Sequence, residues 1–153
     1  MNNNDILRRI RYSLDLDDSK VIEVFSLGNL EVTRAQISDW LKKDDDESFV
    51  PCRDAEFAAF LNGLIVDRRG PRDGPAHVNE ERLNNNQVLT KLKIALDLKA
   101  DEVLELLSLG GLKLSKHELS AFSRKPGHKH WRECKDQCLR SLLKGIQAKY
   151  RVS

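Results

Sequence analysis

Displacing the chain along itself by 82 positions brings its two halves into register without a gap. Asn3 and Asn4 meet Asn85 and Asn86, Leu14-Asp15-Leu16 meets Leu96-Asp97-Leu98, and Ser26-Leu27-Gly28 meets Ser108-Leu109-Gly110. The register persists through Cys52/Cys134, Asp54/Asp136, Leu61/Leu143 and Gly63/Gly145, with conservative exchanges such as Phe25/Leu107, Trp40/Phe122 and Phe49/Trp131 between them. An offset held this long describes a duplicated structural unit.

Within each copy the apolar residues recur at helical spacing: Ile6, Leu7, Ile10 and Leu14, then Val21, Ile22 and Phe25, then Ile37, Trp40 and Leu41, then Phe57, Phe60, Leu61 and Leu64. Gly28 and Gly110 can close the second helix of each copy, and Thr33 and Ser115 are good N-caps for the third. No stretch alternates with a period of two between hairpin turns, so no sheet is expected. The predicted class is all-α, with two tandem four-helix units. Leu14, Phe25, Trp40 and Leu61 belong in the core with their partners Leu96, Leu107, Phe122 and Leu143. The boundaries read as copy one over 1–66, a linker over 67–84 and copy two over 85–153. The linker rests on Asp67-Arg-Arg-Gly-Pro-Arg-Asp-Gly-Pro75, whose Gly-Pro pairs oppose a helix. Units of about 60 residues are marginal alone and gain by sharing a core.

The chain carries 26 basic and 24 acidic side chains, a balance that does not announce nucleic acid. That balance hides an asymmetry, because residues 1–76 sum to −4 and residues 77–153 to +6. The contrast is sharpest before the fourth helix, where Asp44-Asp-Asp-Glu47 in copy one matches Pro126-Gly-His-Lys129 in copy two. The start of the chain has no basic segment leading into an apolar one, and no run approaches a membrane span. Three widely spaced cysteines, Cys52, Cys134 and Cys138, fit free thiols in a reducing compartment. A cytoplasmic protein without membrane contact is expected.

Three local patterns bear on function. Leu30–Lys43 resembles the second helix of a helix-turn-helix, with Thr33, Arg34 and Gln36 as base-facing candidates. The spacing from Gly28 to Ile37 is longer than a short turn implies, and copy two repeats the misfit. His128, His130, Cys134 and Cys138 bring four metal-ligand types together, but at no standard zinc spacing. Cys52 holds the repeat position of Cys134 without a second thiol, which favours a structural role for Cys134 and leaves Cys138, in place of Glu56, as the more exposed thiol. No Gly-rich phosphate loop, His-Glu-x-x-His or nucleophile elbow is present. No catalytic, cofactor or metal residue is therefore assigned.

The opening Asn3-Asn4-Asp5-Ile6-Leu7-Arg8, its echo over 84–93, Phe60-Leu-Asn-Gly-Leu64 and the stretch from His128 to Arg140 resemble the YehS-like proteins. This bacterial family is built from two tandem copies of a domain of unknown function. The resemblance covers almost the whole chain and supplies no activity, cofactor or catalytic residue. The family often has Asn at the position of His130 and an apolar residue at that of Cys138, which makes the four-ligand cluster local to this chain. The expectation is a non-catalytic helical module that binds an unknown protein partner. The alternative is a nucleic-acid binder with divergent helix-turn-helix-like units. In either case the candidate surface is the basic part of copy two: Arg124, Lys125, His128, Lys129, His130, Arg132, Lys135 and Arg140.

Overall fold

The computed structural model describes residues 1–71 and 78–151; over these the chain forms eight helices and no strand. Copy one contributes α1 (Asn3–Ser13), α2 (Asp18–Leu27), α3 (Arg34–Leu41) and α4 (Asp54–Arg69). Copy two contributes α5 (Asn85–Ala95), α6 (Ala100–Leu109), α7 (Lys116–Ala121) and α8 (Asp136–Tyr150).

The helix starts follow the sequence. Asn2, Asp17 and Asn84 cap α1, α2 and α5, while Thr33 with Gln36 and Ser115 with Glu118 form capping boxes on α3 and α7. The ends do so too, with Gly28 and Gly110 standing as the C-caps of α2 and α6. Gly28 and Gly110 follow α2 and α6 with φ of −90° and −84°, and the left-handed residue is the next one, Asn29 at 67° and Gly111 at 95°. The N–H of Leu30 then reaches the Phe25 carbonyl and that of Leu112 the Leu107 carbonyl, closing each helix in a Schellman turn.

Gly28 and Gly110 serve a second purpose. A Cβ on Gly28 would lie 1.8 Å from the Ala59 carbonyl oxygen, and one on Gly63 would lie 1.8 Å from that of Val24. Gly110 and Gly145 repeat the arrangement against Ser141 and Leu106. In each copy the second and fourth helices therefore cross with backbones in contact, which only glycine permits.

The packing between copies is reciprocal. α1 packs chiefly on α8, and α5 packs chiefly on α4, so each copy's first helix rests on the fourth helix of the other. The second and fourth helices pack within their own copy. One core results, running from Leu7, Phe25 and Phe60 to Leu89, Leu107 and Leu142. Six of the eight expected core residues are buried; Leu14 and Phe122 are half-buried and pack on the core's edge.

α4 continues through Asp67, Arg68 and Arg69, three residues into the expected linker, and stops at Gly70 with φ 89°. The two arginines lie in its last turn, where the helix dipole favours cations. Residues 72–77 of the expected linker lie outside the described residues.

The paired asparagines of the repeat hold the long loop before each fourth helix. Asn4 is buried; its Nδ2 donates to the Trp40 and Val50 carbonyls at 2.9 Å, and its Oδ1 accepts from the Cys52 N–H at 2.9 Å. Asn86 makes the same three bonds to Phe122, Arg132 and Cys134. Asn3 and Asn85 each donate to the carbonyl of the following cysteine and to Asp54 or Asp136. The loops 42–53 and 124–135 are thus presented in the same way by both copies.

Candidate functional site

Where α5 lies against α4, a cleft of about 840 Å³ opens between the copies. Leu27, Ile65 and Val66 supply one apolar wall; Ile94, Phe122 and Trp131 supply the other. Arg69 and Arg124 stand at its rim, Arg69 paired with Asp97 at 2.9 Å and Arg124 without an ion pair among the described residues. Its volume and mostly apolar lining lie in the range of ligand-binding clefts.

A polar knot forms the floor. Lys91 is buried on α5, and its Nζ donates to Asn62 Oδ1 at 2.7 Å and pairs with Glu80 at 2.6 Å. Asn62 donates to Asn79 at 3.0 Å and Glu80 at 3.1 Å, and Asn79 donates to the Gly28 carbonyl at 2.8 Å. Burial alone would raise the Glu80 carboxyl, but hydrogen bonds from Lys91 and Asn62 outweigh it and hold the group at about 2. Four elements are joined here: the end of α2, the middle of α4, the segment entering copy two, and α5. A buried ammonium whose partners are all protein groups is structural support, not a free reagent.

The cleft departs from the repeat. Arg8, the counterpart of Thr90, reaches the Lys42 carbonyl at 3.4 Å and pairs with Asp5. In copy two, Thr90 and Gln87 replace Arg8 and Asp5, and both line the cleft together with Arg124, the counterpart of Lys42. A long side chain bridges the first helix to the end of the third in copy one; a short one leaves that gap open in copy two.

The basic residues named from sequence are brought together only in part. Arg124, Lys125, His128, Lys129, His130, Arg132 and Lys135 are all exposed on the segment between α7 and α8, and Arg140 is half-buried on α8. Only Arg124 of this set lines the cleft. His128 Nδ1 accepts from the His130 N–H at 3.0 Å, and Lys135 pairs with Glu133 at 3.3 Å. The candidate base-facing side chains of α3 are occupied locally. Thr33 and Gln36 bind each other's backbone, and Arg34 donates to Ser19 at 2.8 Å and faces Asp18 at 3.6 Å.

All three cysteines are free and buried. Burial pushes the Cys52 thiol up to about 12. Cys134 is raised by its hydrogen bond to Cys138 and by burial, while the same bond lowers Cys138 against the effect of burial. The expected exposure of Cys138 is thus corrected. Its counterpart Glu56 stays near the surface because its carboxylate accepts from the Arg53 N–H at 2.9 Å, a role a thiol does not fill, so the small apolar side chain turns inward. His128 and His130 stay exposed and apart from this pair, and among the described residues no three His, Cys, Asp or Glu side chains gather closely enough to hold a metal ion.

Two comparisons bear on this architecture. The family model described as "Protein of unknown function (DUF1456)" matches twice, over residues 3–70 and 85–151. The chain belongs to this family. It is also 44% identical over 153 residues, 99% of this chain and 98% of the relative, to the "Uncharacterized protein YehS" of Escherichia coli (strain K12). No solved structure matches the chain. The two matched segments coincide with the two four-helix units, and the gap between them contains Asn79 and Glu80 of the polar knot. Among the described residues no helix is long and apolar enough to cross a membrane.

The knot and the cleft are what sequence reasoning missed. Their signal lay in the repeat pairs whose chemistry disagrees: Arg8 against Thr90, Asp5 against Gln87, and Arg9 with Lys144 against Lys91 with Asn62.

Proposed function

We propose that the chain is a non-catalytic protein-binding module, and that the cleft beside α5 is where a partner segment docks. The observation that carries this reading is the local loss of the repeat: Thr90 and Gln87 stand where Arg8 and Asp5 span copy one, and apolar walls with a cationic rim line the gap. Apolar grooves with a few placed charges suit an amphipathic segment with acidic residues at its edge. The ionisable groups nearby, buried Lys91 and half-buried Glu80, neutralise one another, which gives no support to acid-base chemistry. The three free thiols support the reading of a reducing, cytoplasmic setting.

The test uses the repeat itself. Q87D/T90R installs the pair that bridges copy one and should obstruct the cleft beside Arg124; it gives up the Gln87 half of the α5 capping box, as Asp5 does on α1, and keeps the Asn84 cap. Proteins captured from a lysate of the source organism by the parent chain, and lost with this variant while its thermal melt is unchanged, support the reading. Equal capture by both refutes the cleft as the docking site.

One observation favours a second reading, nucleic-acid binding: Arg124, Lys125, Lys129 and Arg132 are exposed within nine residues and have no ion pair among the described residues. Nuclease treatment of the capture distinguishes the two, as does salt, because phosphate contacts lose affinity steeply with ionic strength.

A further inference from the structure

We infer that the cleft accepts a second copy of this chain: the acidic loop 43–50 of one molecule seats on the cleft rim and basic segment of the next. The inference rests on the reading of the cleft as a protein-docking site and names its occupant.

Charge that diverged between the copies is elsewhere balanced inside the chain. Lys20 on α2 pairs with Asp67 on α4 at 2.7 Å, and the repeat-equivalent pair is reversed, Glu102 on α6 with Lys149 on α8 at 4.0 Å. Both signs changed together, so each copy keeps an attractive contact. The loops do not follow this rule. Asp44, Asp45 and Glu47 have no ion pair among the described residues, and Asp46 only accepts from the Ser48 N–H at 2.8 Å. Arg124, Lys125 and Lys129 in copy two are equally unpaired. The two loops are held to their copies by the same asparagine clamps, so each is presented outward on a fixed base.

The acidic loop also has apolar content to place. Phe49 is half-buried and Val50 is exposed to 42%. The cleft walls Phe122 and Trp131 adjoin Arg124, so a segment with carboxylates followed by apolar side chains meets both parts of the surface. An acidic loop against another acidic loop repels, as does basic against basic, which leaves only the acid-to-base contact. Each molecule gives one loop and receives one: two molecules that exchange loops reciprocally close a two-fold dimer, and a head-to-tail arrangement builds a ring or an open chain.

The experiment is sedimentation of the full chain at about 100 µM, in about 20 mM and about 500 mM NaCl, where screening shortens the reach of charge from about 20 Å to a few ångströms. The parent should at least double in mass at low salt and return to monomer at high salt. An acid-neutral variant (Asp44→Asn, Asp45→Asn, Asp46→Asn, Glu47→Gln) and a base-neutral variant (Arg124→Gln, Lys125→Gln, Lys129→Gln) should each remain monomeric at low salt with unchanged melts. Mixed at equal concentration they should associate again, since one keeps the intact acidic loop and the other the intact cleft rim. A monomeric parent at low salt, variants that still self-associate, or a mixture that stays monomeric overturns the inference. If the parent is monomeric but Q87D/T90R still abolishes capture of another protein, the docking reading stands and only this occupant is wrong; if capture is also unchanged, both fail.

Discussion

Replacing Asn4 by Ala is the most direct probe of how the duplicated unit is held together. The side chain is 1% exposed and makes three hydrogen bonds across 36 to 48 residues of sequence. Its removal leaves the Trp40 carbonyl and the Cys52 N–H buried without a partner, while the Val50 carbonyl is part-exposed and can turn to water. An orphaned buried group costs about 1–3 kcal/mol, so two give roughly 2–6 kcal/mol, a large share of the 5–15 kcal/mol typical of a domain. Asn86→Ala should cost less, about 1–3 kcal/mol, because only its bond from the Cys134 N–H is fully buried. Guanidinium unfolding followed by circular dichroism at 222 nm measures both losses. Since α1 packs on α8 and α5 on α4, either substitution should lower one shared transition. A loss under about 1 kcal/mol for Asn4→Ala would mean that the Trp40 carbonyl and the Cys52 N–H are not left orphaned. Two separable transitions would refute the shared core.

Gly63→Ala should destabilise by more than about 2 kcal/mol in the same assay despite a gain in helix propensity, because its Cβ meets the Val24 carbonyl oxygen at 1.8 Å; Gly145→Ala should match it. Asn29→Gly imports the residue of copy two at a φ of 67° and should raise stability by about 0.5–1 kcal/mol. Glu80 has its carboxyl depressed in the folded state, so its contribution is present above the ordinary carboxylate range and is lost as pH falls toward about 2. The melting gap between the parent and Glu80→Gln should therefore be constant near neutral pH and close between about pH 5 and 2; a gap that widens on acidification would contradict this assignment.

The duplication, the helix count and the caps of the third helix in each copy were legible because they depend on local rules repeated twice. Thr33 and Ser115 announce their helices by hydroxyl chemistry that needs no tertiary partner. Gly28 was legible as the residue that closes α2, but its contact with α4 was not. The left-handed turn at Asn29 accepts an asparagine, whereas the contact with Ala59 accepts no Cβ at all. The end of α4 misled because Asp67-Arg-Arg looks like the start of a charged linker, although two cations also suit a last helical turn. Leu14 and Phe122 carry core-type side chains at positions where the helix is ending, so each is covered on one face only.

The site was illegible for a deeper reason. An internal repeat is recognised by agreement between copies, and agreement picks out what both copies need in order to fold. Asn3-Asn4 and Asn85-Asn86 are among the most evident repeated pairs, and they are loop clamps. Whatever distinguishes one face of the molecule from its repeat-equivalent must lie in the pairs that disagree. Arg8 against Thr90 decides whether the first helix is bridged to the end of the third; Arg9 and Lys144 against Lys91 and Asn62 decide whether an incoming segment can be tied across α4. Neither difference has meaning until α5 is known to lie on α4 and not on its own copy's α8, and that exchange is a property of the packed core. The four-helix unit is therefore readable from one copy, while the cleft exists only in the pairing of two.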